Sequence, residues 1–144
     1  MLNELLKLFK QQKGTVRSHM KNLIELAAVD GNFDEAELQL LKTIARRNGV
    51  SESQLQEIRS NPQGVKFEVP ADEVDRFQQL YDLVHMMSID ESVQLEELDL
   101  CNLFAIKFGY PRERVGELIH SIHLNIKHGQ NASETRKRLA ILMR

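Results

Sequence analysis

Asp30-Gly31-Asn32-Phe33-Asp34-Glu35-Ala36-Glu37 packs four carboxylates and a turn glycine between two apolar-periodic segments, and its reading decides the fold. Upstream, Met20, Leu23, Ile24, Ala27 and Ala28 recur at helical spacing, which predicts a helix over 15–29. Asp30-Gly31 ends it, because glycine enters the left-handed conformation that closes a helix more readily than any other residue. Downstream, Leu38, Leu41 and Ala45, with Leu40 and Ile44 beside them, predict a second helix that starts at Asp34 and closes at Asn48-Gly49. The stretch is a joint between two helices.

The joint has an echo. Sixty residues on, Asp90-Glu91-Ser92-Val93-Gln94-Leu95-Glu96-Glu97 keeps an Asp and a Glu at the same separation. The same offset aligns 23–58 with 83–118: Leu23 matches Leu83, Leu38 matches Leu98, Ala45 matches Ala105, Gly49 matches Gly109 and Glu57 matches Glu117. Amphipathicity explains the apolar matches, but it does not put Asp, Glu and Gly in register around them. The chain therefore reads as two pseudo-symmetric repeats of helix–acidic turn–helix–glycine turn–helix, packed face to face because one copy alone cannot bury its stripe. Thr43 and Arg46 of the first copy become Leu103 and Ile106 in the second, so the helix over 95–108 is expected to be the more central.

Outside the joints the pattern stays helical, giving an all-α, single-domain bundle of about seven to eight helices over 1–144. Repeat one occupies about 15–60, a connection 60–69, repeat two about 70–128, and a C-terminal helix about 132–143. Leu2, Leu5, Leu6 and Phe9 form the stripe of a short first helix that Gly14 stops. Docking of this stripe on the domain is expected, with contact to a membrane surface as the alternative. Ser51 caps a helix running through Ile58. Pro62 and Gly64 mark an extended, exposed connection, and Pro70 opens the next helix as its first residue. Gly109-Tyr110-Pro111 and Gly129 bound the helix that carries Val115, Leu118, Ile119, Ile122 and Ile126.

Composition narrows the function classes. At 144 residues a single domain buries roughly 68–70% of its unfolded surface. A net charge of −2 gives no electrostatic case for nucleic-acid binding. The lone Cys101, between Leu100 and Leu103, excludes an intrachain disulfide and a cysteine zinc site, and reads as a small buried hydrophobe. No apolar run reaches the roughly 20 residues of a spanning helix, and the first ten residues lack the pattern of a signal peptide. A cytoplasmic location is the default expectation.

Two readings of the acidic turns stand side by side. Asp34 and Glu37 have the spacing of a capping box, in which each side chain takes the other's backbone amide. Phe33 with Leu38, and Val93 with Leu98, sit at staple positions. In the second copy Gln94 and Leu95 replace Asp34 and Glu35, so the capping pattern lapses while Asp90 and Glu97 remain. What both copies keep is Asp30 with Glu37 and Asp90 with Glu97. Asp30 and Asp90 also sit near helix C-termini, where the helix dipole disfavours negative charge. Such pairs are suited to a divalent metal ion, calcium or another hard cation that takes oxygen ligands, held within each turn or in a weaker site shared by both copies or completed by water. An ordinary EF-hand is excluded, since its first ligand positions would fall on Leu26 and Ala28.

The run Leu26-Ala27-Ala28-Val29-Asp30-Gly31 through Glu37, followed by an apolar helix ending at Asn48-Gly49-Val50, resembles the TerB-like family of bacterial tellurite-resistance and stress-response proteins. The resemblance covers 21–58 well and 83–119 more loosely. It implies an all-helical domain of two pseudo-symmetric halves, a proposed metal-associated acidic surface and no established enzymatic activity. Carried over by position, the acidic residues are Asp30, Glu37, Asp90 and Glu97. Glu91 stands where the first half has Gly31, a departure from the pattern.

The expected function is a non-enzymatic binding module whose acidic turns take a divalent cation or a basic protein partner. An enzyme alternative uses Glu117 with His120 and Asp82 with His85, each pair one helical turn apart as in di-metal carboxylate bundles. His120 and His123 could share an ion, although paired surface histidines are common. A purely structural adaptor, in which the turns only cap helices, is the third possibility.

Overall fold

The computed structural model describes residues 1–31, 33–90 and 92–144, with the side chain of Gln11 excepted. The described chain is all-α: α1 (Leu2–Ala28), α2 (Glu35–Arg47), α3 (Glu52–Ser60), α4 (Glu73–Ser88), α5 (Leu95–Lys107), α6 (Val115–Lys127) and α7 (Ala132–Arg138), with short 3-10 turns before α4, before α6 and at the C-terminus. Among the described residues there is no strand, and no helix is long and apolar enough to cross a membrane.

One apolar cluster holds the bundle together, and α4 runs through its middle. Phe77, Leu80, Leu83, Val84, Met86 and Met87 bury every side of α4 against α1, α2, α5, α6 and α7. Each such side chain contributes about 1.5–3 kcal/mol on burial. The helix over 95–108 was expected to be more central than its counterpart in the first copy, yet α2 and α5 each bury four residues, and it is α4 that takes the centre. In α5 only Glu97, Cys101, Phe104 and Ala105 are buried, Leu98, Leu100 and Ile106 are half-buried, and Leu103 faces water. An apolar sequence on every side identifies a candidate central helix, but the neighbours decide which candidate takes that place.

Three further boundaries differ from expectation. Gly14 does not stop a first helix: α1 runs without a break from Leu2 to Ala28. A helical glycine costs only about 0.5–1 kcal/mol against alanine, and the second half of α1 is anchored by Met20, Leu23, Leu26 and Ala27 in the core. The Glu68 carboxylate lies across the space a Cβ at Gly14 would fill. Pro70 precedes α4 rather than opening it; the helix starts after Asp72, whose carboxylate accepts from the amides of Val74 and Asp75 at 2.8 and 3.2 Å. The connection over 60–69 is not exposed throughout. Val65 is buried, and the Phe67 ring stacks on Phe104 at 6.5 Å and leans on Phe108 at 6.2 Å. Ser18 Oγ accepts the Glu68 amide at 2.9 Å, and Lys21 Nζ donates to the Val65 carbonyl at 3.0 Å.

The two glycine turns have the same construction. Gly49 has φ +74° and Gly109 φ +95°, and after each the next amide returns to the helix it left: Val50 N–H to the Ala45 carbonyl at 2.8 Å, Tyr110 N–H to the Ala105 carbonyl at 3.2 Å. The helices that follow differ, α3 having 9 residues and α6 13.

Candidate metal centre

The α1–α2 turn and the α4–α5 turn meet at one end of the bundle, with α1 packed on α4 and on α5. Gly31, with φ +79°, closes α1 through its amide to the Ala28 carbonyl at 2.9 Å, which leaves Asp30 at the exposed rim. Asp90 takes the corresponding place after α4, where Ile89 is the C-cap. Asn32 and Glu91 lie outside the described residues, so the glycine-to-Glu91 departure noted in the sequence falls there too.

At the start of α2 the capping box is complete. Asp34 Oδ1 accepts the Glu37 amide at 2.8 Å, and Glu37 Oε1 accepts the Asp34 amide at 3.3 Å. At α5 half of the box survives: Gln94 makes no side-chain cap, whereas Glu97 still accepts from the Gln94 backbone. Glu35 faces water and accepts from Gln39 Nε2 at 2.8 Å.

Glu37 and Glu97 are the buried members, with 2% and 3% of their surface exposed. Burial is the largest cause lifting the Glu37 carboxyl from 4.5 to about 7, and the charges of Asp34, Asp90 and Glu97 add to it against the Asp34 backbone bond. Glu97 is lifted to about 7 by burial first, then by Asp30 and Asp90. Asp90 is raised too, by desolvation and then by Asp34, with which it shares a side-chain hydrogen bond, and by Asp30. Five carboxylates from two turns thus act on one another, two of them close to half-protonated at neutral pH.

Of these, Asp34, Glu37 and Asp90 each place an oxygen within 4.8 Å of the other two. Two oxygens on one calcium ion, each at about 2.4 Å, are at most about 4.8 Å apart, so the three are within reach of a common ion. The geometry joins one residue of each expected pair, Glu37 and Asp90, across the two turns. Glu97 and Asp30 act on this group through charge and lie outside its tightest triple. Asp34 caps α2 and belongs to the triple as well. Its partner position in the second turn is Gln94, so matching one copy to the other hid it.

The enzyme alternative does not assemble. Asp82 is buried and taken by His19, whose Nε2 lies 2.9 Å from Oδ2, by the Arg47 guanidinium, and by Gln78 Nε2 at 3.1 Å. Those partners hold its carboxyl below the usual range in spite of burial, the largest opposing influence. Glu117 and His120 are exposed on α6, and Asp82, His85, Glu117 and His120 form no group of three ligand atoms among the described residues. His123 bonds Ser88 Oγ at 2.6 Å and joins no such group with His120. Cys101 is free and fully buried, and burial raises its thiol pKa. Comparison with protein-family models, with curated proteins and with solved structures gives no match.

Proposed function

We propose that this chain is a non-enzymatic, cytoplasmic binding module of TerB-like type, in which two related acidic turns close on one divalent cation. The observation that carries the reading is the convergence of Asp34, Glu37 and Asp90 from turns more than fifty residues apart in the chain, backed by the buried Glu97 and by Asp30 at the rim. A capping box explains Asp34 and Glu37 within their own turn. It gives no reason for Asp90 and Glu97 to face them, since gathered carboxylates repel and buried ones lose hydration. A hard cation with oxygen ligands offsets both effects, and calcium takes six to eight such ligands, water among them. Tellurite resistance and stress response are what the resemblance adds; the geometry bears on the ion.

Calorimetric titration of the full chain with calcium, manganese and zinc at pH 7.5 tests this. A saturable site of one ion per chain is expected, lost in Asp34→Asn/Asp90→Asn and weakened at least tenfold in Glu97→Gln. No heat with any of the three ions overturns the metal reading. Stability changes without any ligand would then leave the structural adaptor.

A further inference from the structure

The first turns of α1 stay in water: Leu2, Leu5, Leu6, Leu8 and Phe9 each keep about half or more of their surface exposed, so the docking expected from the sequence does not occur. The histidine pair of α6 has a more definite arrangement, and it starts from one hydroxyl. Ser88 Oγ, in the last turn of α4, lies 2.6 Å from the Val84 carbonyl and 2.6 Å from His123 Nδ1. A carbonyl oxygen only accepts, so the single hydroxyl proton of Ser88 is committed to Val84, the back-bond that serine makes one turn down a helix. Oγ can then only accept from the ring, and Nδ1 of His123 carries the hydrogen.

This fixes the tautomer. A neutral imidazole with its hydrogen on Nδ1 holds its lone pair on Nε2, the nitrogen across the ring from Ser88. Burial first, then the charges of Lys127 and His120, lowers the His123 pKa and favours that neutral form. A histidine that ligates a metal has this construction: one ring N–H is donated to a fixed oxygen, which sets the ring plane and presents the other nitrogen.

We propose that His123 Nε2 and His120 hold a divalent transition-metal ion of the nickel and copper class, at a second site apart from the acidic turns. The two residues are three apart on α6, where helical neighbours have their Cβ atoms about 5–6 Å from each other. Imidazole nitrogens bind such ions at about 2.0–2.1 Å, so two rings on that spacing reach a common ion between them. Both histidines line one recess of about 270 Å³ between α5 and α6, with Asn102 as the polar group on the facing helix and Met87, Leu98 and Ile119 as apolar wall. Gly116, one turn before His120, adds no side chain to it, and a Cβ there would meet no atom within 4 Å. The donor set selects the ion. Two imidazoles without a carboxylate suit nickel and copper, whereas calcium and manganese prefer the oxygens of the turns.

Ser88 is a positioning residue here, since it touches the ring and not the ion. Without its hydroxyl the His123 ring is free to turn and to exchange tautomers, and the loss of such a supporting bond costs about 10–100-fold in metal affinity.

Calorimetric titration of the untagged full chain with nickel chloride at pH 7.5 tests the site, in the Asp34→Asn/Asp90→Asn background so that the acidic turns do not contribute. One nickel per chain is expected. His123→Gln and His120→Gln should each weaken it at least tenfold with helical circular dichroism kept, Ser88→Ala by 10–100-fold, and Ser88→Thr, which keeps the hydroxyl, should bind as the parent does. Long-range proton–nitrogen NMR of the metal-free wild type should show His123 protonated on Nδ1 and bare on Nε2, a reading that needs no variant. No saturable binding up to 1 mM nickel, binding that survives in both histidine variants, or a His123 ring protonated on Nε2 alone overturns the proposal. Ser88→Ala binding as tightly as the parent overturns the part given to Ser88.

Discussion

Asp82 shows at the scale of one residue why spacing along a helix does not give a partner. Its neighbour by helical spacing is His85; its partners in space are His19 on α1 and Arg47 at the end of α2. The carboxylate therefore ties three helices together from the centre of α4. Removing it leaves a guanidinium and a buried imidazole with no anion, and breaking such a pair costs about 3–5 kcal/mol when both partners are buried. Arg47 is half in water, so the lower end applies. Asp82→Ala is expected to lower unfolding free energy by about 3 kcal/mol in urea titration, and Asp82→Asn by about 2 kcal/mol. A loss below 0.5 kcal/mol in both would show that the cluster does not hold the helices. Nothing in the sequence joined His19 to Asp82, because the contact spans 63 positions and each residue sits on an otherwise apolar stripe.

Helices and their joints were more legible. The period of apolar residues placed α2, α3, α5 and α6 to within a few positions, because their ends carry local signals: Asp34 and Ser51 as caps, and Gly49, Gly109 and Gly129 at positive φ. Gly49 and Gly109 offer a clean measurement, since a Cβ at either would meet no atom within 4 Å. Any loss in Gly49→Ala or Gly109→Ala is then backbone strain in the left-handed region, about 1–2 kcal/mol each. The two should add, as the sites share no partner. Equal stability with the wild type would mean that the turns relax out of that conformation. Where a signal was weak beside the packing around it, the reading failed. Gly14 lost to the anchoring of α1, and Pro70 lost to the better cap at Asp72 three positions before Asp75.

At the scale of the whole molecule the decisive fact is that the two acidic turns face each other, which no single turn encodes. The sixty-residue echo identified four of the five carboxylates and left open whether they act within each turn or share one site, and the fold brings Glu37 and Asp90 together across the turns. This arrangement makes stability depend on pH in a defined direction. Glu37 and Glu97 have carboxyls at about 7 in the folded protein against 4.5 ordinarily, so the folded state holds protons that the unfolded state has released. A group raised in this way adds stability that is complete below pH 4.5 and disappears as pH rises through about 7. Asp82 is shifted the other way, so its contribution is complete above its unfolded value of 3.8 and fades in stronger acid. The ion-free protein should be most stable near pH 5 and lose roughly 5 °C of melting temperature by pH 8, about 2 kcal/mol at this size. A cation can take the place of the lost protons. Calcium or manganese at a hundred times its dissociation constant should return about 2.7 kcal/mol at pH 8 and far less at pH 5, where protons compete. Glu37→Gln/Glu97→Gln should flatten the pH profile and abolish the rescue together, since both come from the same two carboxyls. Scanning calorimetry in EDTA, then with ion, over pH 5 to 8 measures this. A flat wild-type profile would show that the buried glutamates titrate normally, and rescue that persists in the double variant would place the ion elsewhere.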